Sequence, residues 1–561
     1  MRTFFRAAAI AAALTLGGIS TALAAGRIIV VNGNLPGIGF NDPTPAAPIG
    51  GNPGTTLGEQ RMNVFQFAAD TWTAVLNPSV DIYVWARFVP LAAGVLGSAG
   101  PIDVERGFPG AEYPDLWYHA ALANHLRGSD PTPHDPTFLP NAADASNPSD
   151  EINARFSTNF AFYMGLDNNE ESVPGSNDLL VVVLHEMGHG LGFSNLVNEA
   201  DGSQFLGFGD LYSEYTLDVV ANQKWNAMTP EQRAASALNL RKVSWTGLNV
   251  KKDVPKVLSR GEPFLRANKP ALGVFLFGTA GFGAPLTATG VTGDLVLGDD
   301  GVADPGTSDG CTPLTNAVTG KIVLLDRGVC TFVIKVKNAQ DAGAIGVVIA
   351  DNAAGGPPPG LAGADPTIVI PSGRVTLADG NTLKANLASG VNVTLGLDQS
   401  ILAGTDRVKK LMLLATFNPV QLGSSISHFD PVASRNQLME PAINSDLTAS
   451  VTPPEDLTTS LFTDIGWYSD ADGVPDGKDS CIGSDIRPKV MLGRCDAHAA
   501  NDLMTDGCSV SDRLEECTDP RLDRYVACIA KKSDELARKK VITRREEVGI
   551  LFCAIQKKPG H

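Results

Sequence analysis

Apolar and polar positions along the first ninety residues predict a strand, a long helix and a second strand. The run RIIVV, residues 27–31, is β-branched and leads into a Gly/Pro/Asn-rich loop that lasts to residue 54. From Thr56 the period lengthens: Met62, Phe65, Ala68, Ala69 and Trp72 share one helical stripe, with Glu59 and Asp70 away from it. DIYVWARF, residues 81–88, returns to strand, and INARFSTNF, residues 152–160, reads as an edge strand, either one that a bound peptide would extend by backbone hydrogen bonds or an ordinary sheet edge. LLVVVL, residues 179–184, is β-branched enough to pass for a buried strand. Helix is the reading here, because Asn177 and Asp178 are good caps and the two histidines that follow need the helical period to act together.

Those histidines lie in LHEMGHGLGF, residues 184–193. Residues four apart on a helix share a face, so His185 and His189 can present two imidazole nitrogens to one metal ion, with Glu186 one step round the cylinder. Neutral nitrogen donors, an open coordination position and a carboxylate that takes a proton from water are the requirements of a catalytic zinc site. Such a site wants three protein ligands, and this stretch holds two.

The metzincin pattern HExxHxxGxxH places its third ligand three residues after the glycine. Gly192 is in place, but Asn195 occupies the ligand position, and an amide is a poor zinc ligand. Far downstream the chain reads SSISHFD, residues 424–430, and NQLMEPAI, residues 436–443. This resembles the leishmanolysin-like metzincins, in which a large insertion separates the second histidine from a third in a Ser-His-aromatic motif just before a Leu-Met-x-Pro turn. The resemblance implies that His428 is the third zinc ligand, that Met439 is the Met-turn residue beneath the metal, and that the fold is a twisted sheet with an active-site helix. A rival third ligand is Glu214, in EYTLD, which mimics the ExxxD of thermolysin-like enzymes. It leaves Gly192 and Met439 without a purpose.

Inside the insertion, GKIVLLDRGVCTF, residues 320–332, and KVKNAQDAGAIGVVI, residues 335–349, resemble the protease-associated (PA) domain, a small α/β module. The resemblance implies a strand over 322–325, a helix over 335–342, a strand over 345–350 and a disulfide between Cys311 and Cys330. It further implies a lid or docking surface near a peptidase cleft, against the plainer role of a spacer. Downstream, LMLLATF, residues 411–417, is a strand candidate, and residues 457–467 read as a closing helix. DADGVPDGKDSC, residues 470–481, resembles a thrombospondin-type repeat and supplies Asp470, Asp472, Asp476 and Asp479 as candidate calcium ligands; an acidic linker is the alternative. The remainder reads as a cysteine-stapled helical module.

The predicted fold class is therefore α+β and multidomain: a metzincin-like catalytic domain interrupted by a small α/β PA domain, then a small disulfide-rich helical module. The boundaries are 1–25 for a signal peptide, 26–255 and 403–468 for the two catalytic parts, 256–402 for the insertion, 469–482 for the calcium-repeat-like linker and 483–561 for the C-terminal module. Arg2 and Arg6 before an apolar run, with small residues at 22–24, predict export, and no later stretch is long and apolar enough to span a bilayer. Eight cysteines suit a secreted protein, and their even numbers in each cluster predict disulfides within modules. A net charge of −17 argues against nucleic acid as partner. The function implied is a secreted zinc metalloendopeptidase acting on proteins or peptides, with Glu186 as general base. The alternative is a non-catalytic, zinc-bearing adhesion or matrix-binding protein, which would have no need of Glu186.

Overall fold

A computed structural model describes residues 26–138, 146–303, 306–443, 447–467, 481, 489–492, 495–517 and 521–556. The segment read as a signal peptide and the acidic residues Asp470, Asp472, Asp476 and Asp479 lie outside the described residues.

The first strand, β1 (Ile28–Asn32), leads through the loop to α1 (Leu57–Leu76). A capping box fixes where α1 starts: the Glu59 amide donates to Thr56 Oγ1 (3.1 Å) and the Thr56 amide donates to Glu59 Oε2 (3.2 Å). Its buried stripe of Val64, Phe65, Ala68, Ala69, Trp72 and Leu76 faces a four-stranded sheet. After β2 (Ile82–Val89), β3 (Gly97–Pro101) and α2 (Ala120–Arg127) comes β4 (Ile152–Ser157). The strand order is β1-β2-β4-β3, the first three parallel and β3 antiparallel. The stretch expected at the edge, β4, is thus interior, and the edge belongs to the glycine-containing β3, whose sequence GSAGP carries no strand signal of its own.

Behind the sheet, α3 (Leu179–Gly190) is buried on nearly every side, so tertiary packing overrides the β-propensity of its valines. The Trp72 indole N–H donates to the Leu184 carbonyl (3.2 Å), pinning α1 to α3.

The chain then builds the inserted module around one sheet: β5 (Arg260–Lys269), β6 (Gly273–Leu276), β7 (Gly278–Thr279), β8 (Val291–Leu297), β9 (Ile322–Asp326), β10 (Gly346–Ala350), β11 (Ser372–Val375) and β12 (Asn392–Leu402). The order is β6-β5-β12-β8-β9-β10-β11-β7, with β8 to β11 parallel. Alternate residues of β9 feed two cores: Ile322 and Leu324 join Leu265, Leu395 and Val348 on one face, while Val323 and Leu325 join Val336 and Ala339 of α4 (Phe332–Asp341) on the other. Cys311 and Cys330 are bonded, as the resemblance implied.

Beyond the module, residues 411–417 form no ladder strand. Met412, Leu413 and Leu414 each make a single bridge to a different neighbour, Thr405, Ser244 and Phe429, because the segment threads between three others. A short helix, α5 (Thr458–Asp464), closes this part. One hydrophobic core collects Ile28 through Leu258 and then Met412 through Trp467, on both sides of the insertion. The C-terminal module has its own core and the bonds Cys481–Cys508, Cys495–Cys553 and Cys517–Cys528. It is not purely helical: a hairpin of β13 (Lys489–Leu492) and β14 (Cys495–Ala500) packs with α6 (Val510–Glu515), α7 (Leu522–Arg538) and α8 (Arg544–Gln556). Among the described residues no helix is long and apolar enough to cross a membrane.

The three upstream histidines are structural. His119 Nε2 sits 2.9 Å from Ser194 Oγ, and His134 Nδ1 is 2.6 Å from Asp150. His125 stacks on Trp467 (4.6 Å between ring centroids), and its Nδ1 accepts the Ser79 amide proton (3.0 Å). Burial lowers the His125 pKa from 6.5 to about 4, so the unfolded chain binds the extra proton in that window and stability falls as pH drops through it. The effect is roughly 3 kcal/mol at full protonation. Urea melts between pH 7 and 4 should show this loss, and a His125→Gln variant should show a shallower slope; equal slopes would refute the assignment.

Candidate metal centre

The Asp178 carboxylate starts α3 by accepting the amides of Leu180 (2.8 Å) and Val181 (3.3 Å). At its other end the Gly192 amide donates to the His189 carbonyl (3.2 Å) and the Phe193 amide to the Gly188 carbonyl (3.0 Å), a Schellman closure. Gly192 adopts φ +127°, a conformation that side chains disfavour. The reversal brings the Phe193 carbonyl back to His189 Nδ1, at 2.8 Å.

Two further carbonyls do the same for the other rings. His185 Nδ1 donates to Leu438 O (2.7 Å), one residue before Met439, and His428 Nδ1 donates to Ser424 O (3.0 Å). A carbonyl can only accept, so each Nδ1 carries the proton and each Nε2 is a bare lone pair. The three Nε2 atoms lie 3.1, 3.2 and 3.2 Å apart. No proton is available between them, and three lone pairs at that distance repel unless a cation sits among them. Nitrogens at zinc distance in a tetrahedron would be about 3.3 Å apart, close to the observed triangle. Among the described residues these three form the one such group of His, Cys, Asp and Glu donors. The donor set suits zinc.

Burial keeps the rings neutral: it lowers the pKa of His185, takes that of His189 to about 3 and that of His428 well below the usual range. Burial acts oppositely on the Glu186 carboxyl, pushing it up to about 8 against the opposing hydrogen bond from Ala99 of β3. A cation on the adjacent histidines would counter that burial and favour the carboxylate.

The later segment is fastened from several sides. The Ala415 amide donates to the His428 carbonyl (2.8 Å), the Ile426 amide to the Ala415 carbonyl (2.7 Å), and the Tyr212 hydroxyl to the Ile426 carbonyl (3.0 Å). The Phe429 amide donates to the Met439 carbonyl (2.8 Å), and the Leu438 amide to Asp456 (2.6 Å). Asn195 is no donor to the histidine triangle; its amide N–H and side chain both approach Ser427 Oγ at 3.2 Å, so it ties the helix exit to the residue before His428. Glu214 is elsewhere, paired with Lys224 (2.7 Å). The carbonyls of Phe193, Ser424 and Leu438 and the hydroxyl of Tyr212 had no signal in the sequence, since any residue supplies a carbonyl and only the fold aims it.

Comparison with known proteins adds one firm assignment. Residues 291–383 match the PA domain family. The inserted module contains a PA domain. A stretch of 53 residues is 51% identical to the ER degradation-enhancing alpha-mannosidase-like protein 3 of Homo sapiens, covering 9% of this chain and 6% of that one. Another of 91 residues is 40% identical to Leucine aminopeptidase 2 of Arthroderma otae, covering 16% of this chain and 18% of the relative. The chain thus spans less than a fifth of either relative's length. Among solved structures, the zinc aminopeptidase BSAP from Bacillus subtilis aligns over 31% of this chain and 39% of its own, at 24% identity and a TM-score of 0.20. At that score no kinship of whole folds follows.

Beneath the triangle, Met439 is fully buried, and a Cβ on Gly188 would lie 2.8 Å from its sulfur. Gly188→Ala should therefore push Met439 out of place and destabilise the protein by about 1–3 kcal/mol, read as a lower urea midpoint. An unchanged midpoint would mean that Met439 does not pack there.

Proposed function

We propose that this protein is an exported zinc-dependent metalloendopeptidase of metzincin type, with zinc held by His185, His189 and His428 and with Glu186 as general base. The observation that carries the reading is the triangle of bare Nε2 atoms with a buried carboxylate on the adjoining residue. A site built only to hold metal for structure would be closed by a fourth ligand and would not need Glu186. Supporting it are the Met439 turn under the histidines and the antiparallel edge strand β3, whose Ala99 touches Glu186.

When bound, zinc supplies the Lewis-acid charge that polarises a peptide carbonyl and acidifies water. Glu186 accepts the proton of the attacking water and later delivers it to the leaving amine. The Ala99 hydrogen bond holds that carboxylate in place, and β3 offers an edge along which an extended peptide lies. The Nδ1–H bonds to Leu438, Phe193 and Ser424 fix the tautomer and orientation of the three rings.

The bonded cysteines favour an oxidising, extracellular location, together with the apolar N-terminal run. The peptidase parts are taken as residues 26–255 and 403–468, interrupted by the module at 256–402. Asp470, Asp472, Asp476 and Asp479 are proposed as a calcium loop on their oxygen content alone.

Purified protein should cleave casein and also a peptide blocked at both ends, which an aminopeptidase cannot attack. Glu186→Gln should lower kcat by about 10³-fold while zinc content stays at one equivalent, and His428→Ala should lose the zinc. Cleavage that requires a free N-terminus would overturn the endopeptidase reading, and full activity in Glu186→Gln would overturn the mechanism.

A further inference from the structure

The module that holds the PA domain leaves and rejoins the rest of the chain through the paired strands β5 and β12, and the base of that pair carries a partly buried charge cluster. Glu262 of β5 lies directly across from Asp398 of β12, two acids side by side. Arg407, on the returning chain, binds both: Nη2 is 2.6 Å from Glu262 Oε2 and Nη1 is 3.1 Å from Asp398 Oδ2. On the other side Arg241 places Nη1 3.4 Å from Glu262 Oε1 and Nε 3.7 Å from Asp430 Oδ1. The Asp430 side chain is 0% exposed, that of Glu262 5% and that of Arg241 9%.

Asp430 stands two residues beyond His428. Its amide donates to the Leu413 carbonyl (3.0 Å), and the loop that follows is sewn to the strand pair. The Ser259 amide donates to the Ser434 carbonyl, the Ser434 amide to Ala403 (3.4 Å), and the Ala403 amide to Ser259 (2.9 Å). Arg241 itself is held at φ +55°, a costly conformation for arginine, and its amide donates to Thr416 Oγ1 (2.8 Å). A strained, buried arginine between two buried carboxylates transmits position well, because removing one partner leaves the others uncompensated in a medium that penalises them.

We propose that Arg241 is a positioning residue for His428, and that the inserted module, through Glu262, sets how well the third imidazole is presented to the metal. The proposal rests on the zinc reading of the histidine triangle. It makes the inserted domain part of the metal centre's support, with Glu262 acting on His428 only through Arg241 and Asp430.

The test uses the full-length protein and measures zinc affinity by competition with a chromogenic chelator, alongside thermal melting of the metal-free form. Glu262→Gln should weaken zinc binding about tenfold, the scale on which supporting partners of a metal ligand act. Glu262→Asp should restore most of it, and combining Glu262→Gln with Asp430→Asn should weaken binding by less than the product of the two single effects. Should Glu262→Gln fail to fold, Arg241→Lys carries the same expectation, since lysine keeps the charge but loses the fork that spans both carboxylates. Wild-type zinc affinity in Glu262→Gln or Arg241→Lys, with or without a lower melting temperature, would overturn the proposal while leaving the zinc site intact if His428→Ala still loses the metal. If His428→Ala binds zinc as tightly as the parent, the zinc reading itself fails.

Discussion

Three ring N–H groups, each donating to a backbone carbonyl, hold this structure's site together. They keep the proton on the outward-facing Nδ1 of every imidazole and turn the three bare Nε2 atoms on one another at 3.1–3.2 Å. That arrangement is electrostatically unfavourable by itself, so the surrounding fold has to impose it. It does so with a Schellman turn at Gly192, a Met439 sulfur packed where Gly188 has no side chain, and the hydrogen bonds that anchor residues 424–430.

The histidines come from segments 239 residues apart, yet the insertion between them costs little in chain entropy, because closure entropy grows only with the logarithm of loop length. What matters is where the insertion begins and ends. β5 and β12 pair from Arg260–Leu402 to Lys269–Asn392, so the inserted module enters and leaves at one place, and the core that unites Ile28 with Trp467 closes as though the chain were continuous. The paired strands also abut the loop that follows His428. Insertion and histidine triangle are mechanically adjacent even though the inserted module brings no histidine of its own to the triangle.

Much of this was legible from the sequence because it depends on local rules. Thr56 marks the start of one helix, Asp178 the start of another, and the spacing of His185 and His189 a shared face, and each is where the pattern put it. His428 was reached by resemblance, and distance in the chain gave no physical route to it. The failures share a cause. β3 is a strand because β4 and α3 give it partners, not because GSAGP prefers extended structure, so the edge was assigned to the more strand-like residues 152–160. Residues 411–417 look like a strand but are divided among three neighbours, and the hairpin of the C-terminal module was hidden by its cysteines and short length. Asn195, dismissed as a poor ligand, has a job that only the folded chain reveals: it ties the helix exit to Ser427.

The most direct measurement is anomalous diffraction at the zinc absorption edge from crystals of the purified protein. The account expects a single strong peak about 2.0–2.1 Å from Nε2 of His185, His189 and His428, with the Nδ1–carbonyl bonds unchanged. A zinc peak bound by other residues, or one coordinated by the two helical histidines with His428 turned away, would contradict it.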